Sequence, residues 1–102
     1  MHCELRNDKD KSVISMAGSF KFEDHPAFRD AYQKALACST TRIVQLDMSK
    51  VEHMDSAALG MTLLCIERCE AVGKQVRITG ASGVVRQLLE VAKAAQYCDA
   101  SR

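Results

Sequence analysis

The sequence predicts one α/β domain, built on a mixed sheet of four or five strands with three or four helices. Three observations carry this. The chain has 102 residues, enough for a single domain around one core. Short β-branched runs alternate with segments of helical periodicity, in the order β-β-α-β-α-β-α. The first two runs are joined by a polar turn, whereas the later strands alternate with helices. A hairpin followed by strand–helix–strand units gives antiparallel and parallel pairs in one sheet. No internal repeat, linker or low-complexity segment divides residues 1–102.

His2 to Arg6 and Lys11 to Ala17 read as strands, with Asn7-Asp8-Lys9-Asp10 as the turn of a hairpin. The second strand alternates Val13, Ser15, Ala17 against Ser12, Ile14, Met16, which leaves its buried face open. Gly18 is expected to end it. Ser19 to His25 is a mixed connection in which Phe20 and Phe22 alternate with Ser19, Lys21 and Glu23, the pattern of a short extended piece. Asp24 or His25 can cap the next helix, and Pro26 fits its first turn. Phe28, Tyr32, Ala35 and Leu36 form the apolar stripe of a helix over roughly Pro26 to Ala37.

Ile43 to Leu64 is the organising stretch. Ile43-Val44-Gln45-Leu46 reads as a buried strand, Asp47 to Asp55 as a polar patch, and Ser56 to about Val72 as a helix capped by Asp55. The first three turns of this helix are apolar nearly all round, so burial on several sides is expected. Gly73 suits the position after the helix. Gln75 to Thr79 is a further strand, with Val76 and Ile78 on one face. Gly80-Ala81-Ser82-Gly83 is a turn in which Ser82 can cap a last helix, whose stripe is Val84, Val85, Leu88, Leu89 and Ala92. Lys93 to Asp99 holds a short turn or a fifth strand.

Composition excludes several functions. Fourteen basic and thirteen acidic residues leave a formal charge of +1, without the basic excess of a nucleic-acid surface. Arg6, Asp8, Lys9, Asp10 and Lys11 crowd the N-terminus, against a signal peptide. No apolar run approaches the roughly 20 residues that span a bilayer, so a cytoplasmic, membrane-free protein is expected. Cys3, Cys38, Cys65, Cys69 and Cys98 fit no zinc or redox spacing. Cys65 and Cys69 could share a helix face, but no His or carboxylate pattern completes a ligand set. Reduced thiols, with no metal and no cofactor, are expected.

Enzyme chemistry finds little support. Met54-Asp55-Ser56-Ala57-Ala58 lacks the glycines of a nucleophile elbow, and His53 three residues away makes no triad. Thr79-Gly80-Ala81-Ser82-Gly83 resembles the strand–turn–helix opening of short-chain dehydrogenases. It lacks the third glycine, and too little chain follows for a dinucleotide fold. His2, His25 and His53 show no ligand spacing. Glu23, Asp47, Glu52 and Asp55 read as caps and solvated charges rather than cation ligands. Ser56 remains. A phosphate of about −1.5 to −2 charge would meet the free N–H groups and dipole of a helix start there. The residues alone leave Ser56 as either a phosphoacceptor or a simple helix-start hydroxyl.

Leu46 to Gly60, LDMSKVEHMDSAALG, resembles the signature of STAS domains, and more closely that of single-domain bacterial anti-sigma-factor antagonists. Met54-Asp55-Ser56 followed by Leu59-Gly60 is similar to that family's phosphorylation motif. Gly18, Ala71 to Val76, and Val84 to Leu89 extend the resemblance over nearly the whole chain. Ala57 and Ala58 stand where the family usually has Ser or Thr and often Gly, so Ala57 removes an alternative acceptor. Gly18 to His25, GSFKFEDH, departs from the usual Gly-Glu-Leu-Asp pattern.

The resemblance implies a partner switch and not an enzyme. The unphosphorylated antagonist binds an anti-sigma factor that is also a GHKL-type serine kinase. Phosphorylation of Ser56 ends binding, and a PP2C-type phosphatase restores it. Asp47, Ser49, His53, Met54 and Asp55 are expected beside Ser56 on the partner-binding rim, with Ala57 and Met61 adding apolar contact. A STAS module that regulates a non-sigma target, such as a biofilm or stress signalling protein, is the alternative.

Overall fold

The computed structural model describes residues 2–98. Four strands, β1 (His2–Asp8), β2 (Lys11–Phe20), β3 (Ile43–Met54) and β4 (Gln75–Thr79), lie side by side in sequence order. The β1–β2 pair is antiparallel, and the β2–β3 and β3–β4 pairs are parallel. Helices α1 (His25–Ala37) and α2 (Ser56–Ala71) are the crossovers, and α3 (Gly83–Val91) follows β4. The mixed sheet and three helices are those the sequence predicts. A fifth strand does not form among the described residues. Instead a 3₁₀ turn at Ala95–Tyr97 leads to a single parallel bridge between Cys98 and Ile78. Asp99 lies outside the described residues.

One face of the sheet carries the core. Ile14, Met16, Val44, Leu46, Met48, Val76 and Ile78 meet Phe28, Tyr32 and Ala35 of α1, Ala58, Cys65, Ile66 and Cys69 of α2, and Val85 and Leu89 of α3 in one cluster. Phe20, Phe28 and Tyr32 pack in series, tilted and then edge-to-face, with ring centroids 5.0 and 5.3 Å apart. This resolves the ambiguity of β2, whose Ile14 and Met16 face inward. Ser12 is also buried, and its hydroxyl contacts the Thr41 hydroxyl at 2.7 Å and donates to Asn7 Oδ1 at 2.7 Å. The other face is polar. Across the strands it aligns Glu4, Ser15, Asp47 and Thr79 in one row, and Arg6, Val13, Gln45 and Arg77 in the next. Val13 is buried there between its register neighbours, outside the main core.

The clearest departure from expectation is the length of β2 and β3. Gly18 does not end β2, and the polar patch after Leu46 is not a loop. Ala17 pairs with Lys50, Gly18 with Val51, Ser19 with His53 and Phe20 with Met54. The register slips between Ser15 and Ala17 and again between Gly18 and Ser19. Each slip places an extra residue on β3, which is a β-bulge. Gly18 sits at φ +93°, a conformation that glycine adopts without a Cβ clash. The buried residues of β3 are therefore Val44, Leu46, Met48, Val51 and Met54, at steps of two and then three.

Smaller corrections concern caps and stripes. Asp24 makes no side-chain cap to α1; its Oδ2 accepts the Lys21 N–H at 2.8 Å, closing the short 3₁₀ turn Phe22–Asp24. Ser82 stands at the α3 cap position without a side-chain hydrogen bond, and Val84 faces solvent instead of the core. Leu36, Leu88 and Ala92 are half-buried. All five cysteines are free, with Cys65 and Cys69 buried. No described helix is long and apolar enough to cross a membrane.

Candidate functional site

Ser56 is the first residue of α2 and is exposed. Asp55 fixes it from the N-cap position. Its Oδ1 accepts the Ala58 N–H at 2.8 Å, its Oδ2 accepts the Phe22 N–H at 3.1 Å, and its own N–H donates to the Phe20 carbonyl at 3.2 Å. The Leu59 N–H donates to the Asp55 carbonyl at 3.0 Å, the first bond of the helix. The cap and the end of β2 therefore hold one corner together. The first-turn N–H groups of Ser56 and Ala57 have no acceptor within the helix, as in any α-helix. An anion on Ser56 Oγ would meet them and the helix dipole.

The residues expected around Ser56 divide. Asp55 and half-buried Ala57 adjoin it. Exposed His53 lies at the end of β3, opposite Ser19. Met54 does not offer its side chain to the rim, because the bulged strand turns it into the core, 7% exposed. Asp47 and Ser49 lie back along β3, seven to nine residues before the helix start, about 23–30 Å of extended chain. There the Asp47 Oδ1 accepts both the Ser49 N–H at 3.0 Å and the Ser49 hydroxyl at 2.7 Å. These two residues line a different depression, on the polar sheet face, with His2, Glu4 and Arg6.

Met61, expected with Ala57 to add apolar contact beside Ser56, belongs to a wider surface than the sequence revealed. With Phe22, His25, Ala57, Gly60 and Leu64 it lines a shallow groove of about 240 Å³ beside Ser56. Phe22 is 68% exposed, and Leu63 and Leu64 are 37% and 36% exposed. The expectation that α2 is buried on several sides is therefore wrong for its outer face. Only Ala58, Thr62, Cys65, Ile66 and Cys69 are buried. The one available signal was the run from Ala57 to Ile66, without a single charge, on a helix too short of neighbours to be enclosed.

At the Gly80 turn the backbone packs directly against β3. A Cβ on Gly80 would lie 2.5 Å from Ser49 Cβ and 2.8 Å from its backbone N. This glycine is needed for the close approach of β3 at Ser49. A larger cavity of about 650 Å³, lined by Gln45, Lys74, Arg77 and Tyr97 among others, lies by the C-terminal end of α2, away from Ser56. No group of three or more His, Cys, Asp or Glu is placed to hold a metal among the described residues.

Cys38, at the end of α1, is chemically distinct from the other thiols. Hydrogen bonds from Thr40 and Thr41 lower its pKa to about 7. Contact with the Cys69 thiol, together with burial, keeps Cys65 protonated far above the usual thiol range.

Known proteins share this architecture. A STAS domain family model, described as "Mlab, STAS domain", matches residues 3–97. A STAS-domain containing protein of Pseudomonas aeruginosa strain UCBPP-PA14 is 32% identical over 84 residues, covering 82% of this chain and 81% of that protein. The anti-sigma factor antagonist SpoIIAA in its unphosphorylated form superposes with a TM-score of 0.84 at 17% identity, over 96% of this chain and 86% of that one. An anti-sigma factor antagonist from Mycobacterium paratuberculosis gives 0.81 at 18% identity, over 93% and 80%. At these identities the two structures attest the fold. The family match spans nearly the whole chain, and the chain belongs to the STAS domain family.

Proposed function

We propose that this protein is a phosphorylation-controlled partner switch with Ser56 as the phosphoacceptor. The observation that carries the reading is the placement of Ser56. It is exposed at the first position of α2, on a helix start that Asp55 already fixes by two hydrogen bonds. A phosphate there changes charge without requiring the fold to change. Unphosphorylated, the chain binds and sequesters an anti-sigma factor that is a GHKL-type serine kinase. That kinase modifies Ser56 and is released, and a PP2C-type phosphatase resets the cycle. The chain is substrate and ligand, not enzyme. Similarity to anti-sigma factor antagonists, including SpoIIAA solved in both unphosphorylated and phosphorylated forms, supports the reading.

A second reading keeps Ser56 as the switch but replaces the sigma pathway with another target, such as a biofilm or stress signalling protein. The observation favouring it is the Lys21–Asp24 turn, which departs from the antagonist pattern and presents Phe22 to solvent. Intact mass spectrometry of protein isolated with and without the native phosphatase, with the site mapped, tests both. One added phosphate on Ser56 is expected, and phosphate mapped elsewhere overturns both. Binding to a kinase that also holds a sigma factor separates the first from the second.

A further inference from the structure

We infer that β1 is a docking edge for a second copy of this chain: two β1 strands pair antiparallel about Leu5, joining two four-stranded sheets into one of eight. The inference is independent of the reading of Ser56 as the switch.

The edge is open. Among the described residues β1 is paired on one side only, with β2, whereas the opposite edge strand, β4, is met at Ile78 by the bridge from Cys98. An unpaired edge is a template for another strand, and folds usually blunt it with a bulge, a proline or a lysine. β1 carries none of these. Its seven residues, HCELRND, pair with β2 without a break in register.

The edge is also its own complement. Side chains alternate between the two faces of a strand. Cys3 and Leu5 pack against the core on the helical face, so His2, Glu4, Arg6 and Asp8 share the polar one. Along that face the order is base, acid, base, acid. Read antiparallel, it becomes acid, base, acid, base. A two-fold axis at Leu5 therefore sets Glu4 opposite Arg6 of the second copy, and His2 opposite Asp8 of the second copy, each pair occurring twice. An axis at Glu4 or Arg6 would face that residue with itself, and one at Cys3 or Asn7 shortens the ladder. Opposite charges facing across antiparallel strands stabilise the pair, and like charges destabilise it. Within its own sheet the edge lacks such pairs, because β2 places Ser15 opposite Glu4 and Val13 opposite Arg6. The Glu4 carboxylate instead meets His2 Nε2 at 2.9 Å, along its own strand. A foreign strand would need no such antisymmetric order, whereas self-pairing requires it.

The helices permit this joint. A two-fold axis perpendicular to the sheet keeps both helical layers on one side. α1 packs over β1 and β2, so the two α1 helices would stand about two strand spacings apart, roughly 10 Å, a distance at which helices pack. The flank of α1 nearest the edge carries Asp30, whose charge helps to raise the Cys3 pKa, and Asp30 is ion-paired with Lys34 at 3.1 Å. Charges of both signs are therefore available along the helix contact. α2 packs over β3 and β4, away from the joint, so Ser56 of both copies stays accessible.

Sedimentation velocity of the full chain over a concentration series tests the inference. Wild type should move from 11.3 kDa toward twice that mass, with a dissociation constant of about 10–100 μM, the weak range of a small interface. Glu4→Arg and Arg6→Glu, each alone, set like charges opposite one another at both Glu4–Arg6 pairs and should weaken the dimer at least about 10-fold. The double variant Glu4→Arg/Arg6→Glu restores those opposite pairs and should dimerise like wild type. An equimolar mixture of the two single variants should dimerise too, because each supplies the charge that the other lacks. Both positions are exposed, so circular dichroism and melting temperature of the dilute proteins should not change. Should a reversal fail to fold, Glu4→Gln and Arg6→Gln give the same ordering in smaller steps. Wild type that stays monomeric up to about 1 mM overturns the inference. A dimer that the single variants leave within about threefold of wild type also overturns it, since such a dimer pairs elsewhere. A double variant as weak as the singles rules out the register about Leu5.

Discussion

The Asp55 carboxylate ties Phe22 to the start of α2. Its Oδ2 accepts the Phe22 N–H at 3.1 Å while Oδ1 accepts the Ala58 N–H at 2.8 Å. One side chain therefore sets both the helix that presents Ser56 and the turn that presents Phe22. Asp55→Ala should destabilise the fold by about 1–2 kcal/mol through loss of the cap. Hydrogen exchange at the Phe22 amide should quicken in the same variant. Asp55→Asn, which can still accept, should retain most of the stability. Urea denaturation read by circular dichroism compares the three.

Ser56 faces solvent at the positive end of a helix. Ser56→Ala and Ser56→Asp should both fold, with stabilities within about 1 kcal/mol of wild type, since a negative charge at a helix start contributes about 0.3–1 kcal/mol. Ser56→Ala should bind the kinase constitutively, and Ser56→Asp should bind poorly. Thermal melts and a binding titration check the pair. An unfolded Ser56→Asp would contradict the account of the helix terminus.

Two glycines should respond in opposite senses to the same substitution. Gly80 has φ +75°, and its Cβ would lie 2.7 Å from Ser49 Cα. Gly80→Ala should destabilise by about 2 kcal/mol or more, because strained backbone and a backbone clash combine. Gly60→Ala should stabilise by about 0.5–1 kcal/mol from helix propensity alone. Denaturation midpoints of the two variants, measured side by side, decide this.

Phe28 is fully buried between Phe20 and Tyr32. Phe28→Ala should cost about 3–5 kcal/mol, the range for deleting a buried aromatic ring. That is a large share of the stability of a domain this size. Calorimetric unfolding would register a lowered midpoint or no cooperative transition.

The thiols should label in a fixed order. Hydrogen bonds from Thr40 and Thr41 bring the Cys38 pKa down to about 7, so its thiolate fraction rises through pH 7 and nears completion above about pH 8. Cys3 and Cys98 have pKa values raised by burial. Iodoacetamide at pH 7.5 should therefore modify Cys38 first, at a rate that levels off with rising pH while Cys3 and Cys98 continue to accelerate. Thr40→Val should slow Cys38. Buried Cys65 and Cys69 should react only on unfolding. Peptide mapping by mass spectrometry over a pH series reads out all five.

Much of the fold was legible because the periodicities are clean. The stripe of α1, the Asp55 cap, the start of α2 at Ser56 and the whole of β4 follow from local pattern and capping chemistry. The second half of β3 was not legible. After Met48 its inward residues, Val51 and Met54, come at steps of three, a spacing that resembles no strand. The bulges that produce it depend on how β3 pairs with a distant segment. The same cause misplaced Met54 on the surface and drew Asp47 and Ser49 too near Ser56. At the site, the helix-start position of Ser56 and its Asp55 cap could be read from adjacent residues. The full extent of the groove could not, because Leu63 and Leu64 look like core until the fold of the described residues leaves them 37% and 36% exposed.

The two bulges on β3 have a consequence for what changes in length this protein can accept. Between Asp47 and Met54 the inward set is counted against the fixed partner strand Ser15–Phe20. Losing one residue there would send Val51 or Met54 outward. It would also bring Asp55 to the wrong side of the corner and rotate Ser56 by about 100° on the helix, one residue's turn. Amino-acid exchange in this segment is permitted at its exposed positions, Ser49, Lys50, Glu52 and His53. Insertions and deletions are not. Related chains that keep this corner of the fold should differ here in spelling but never in count.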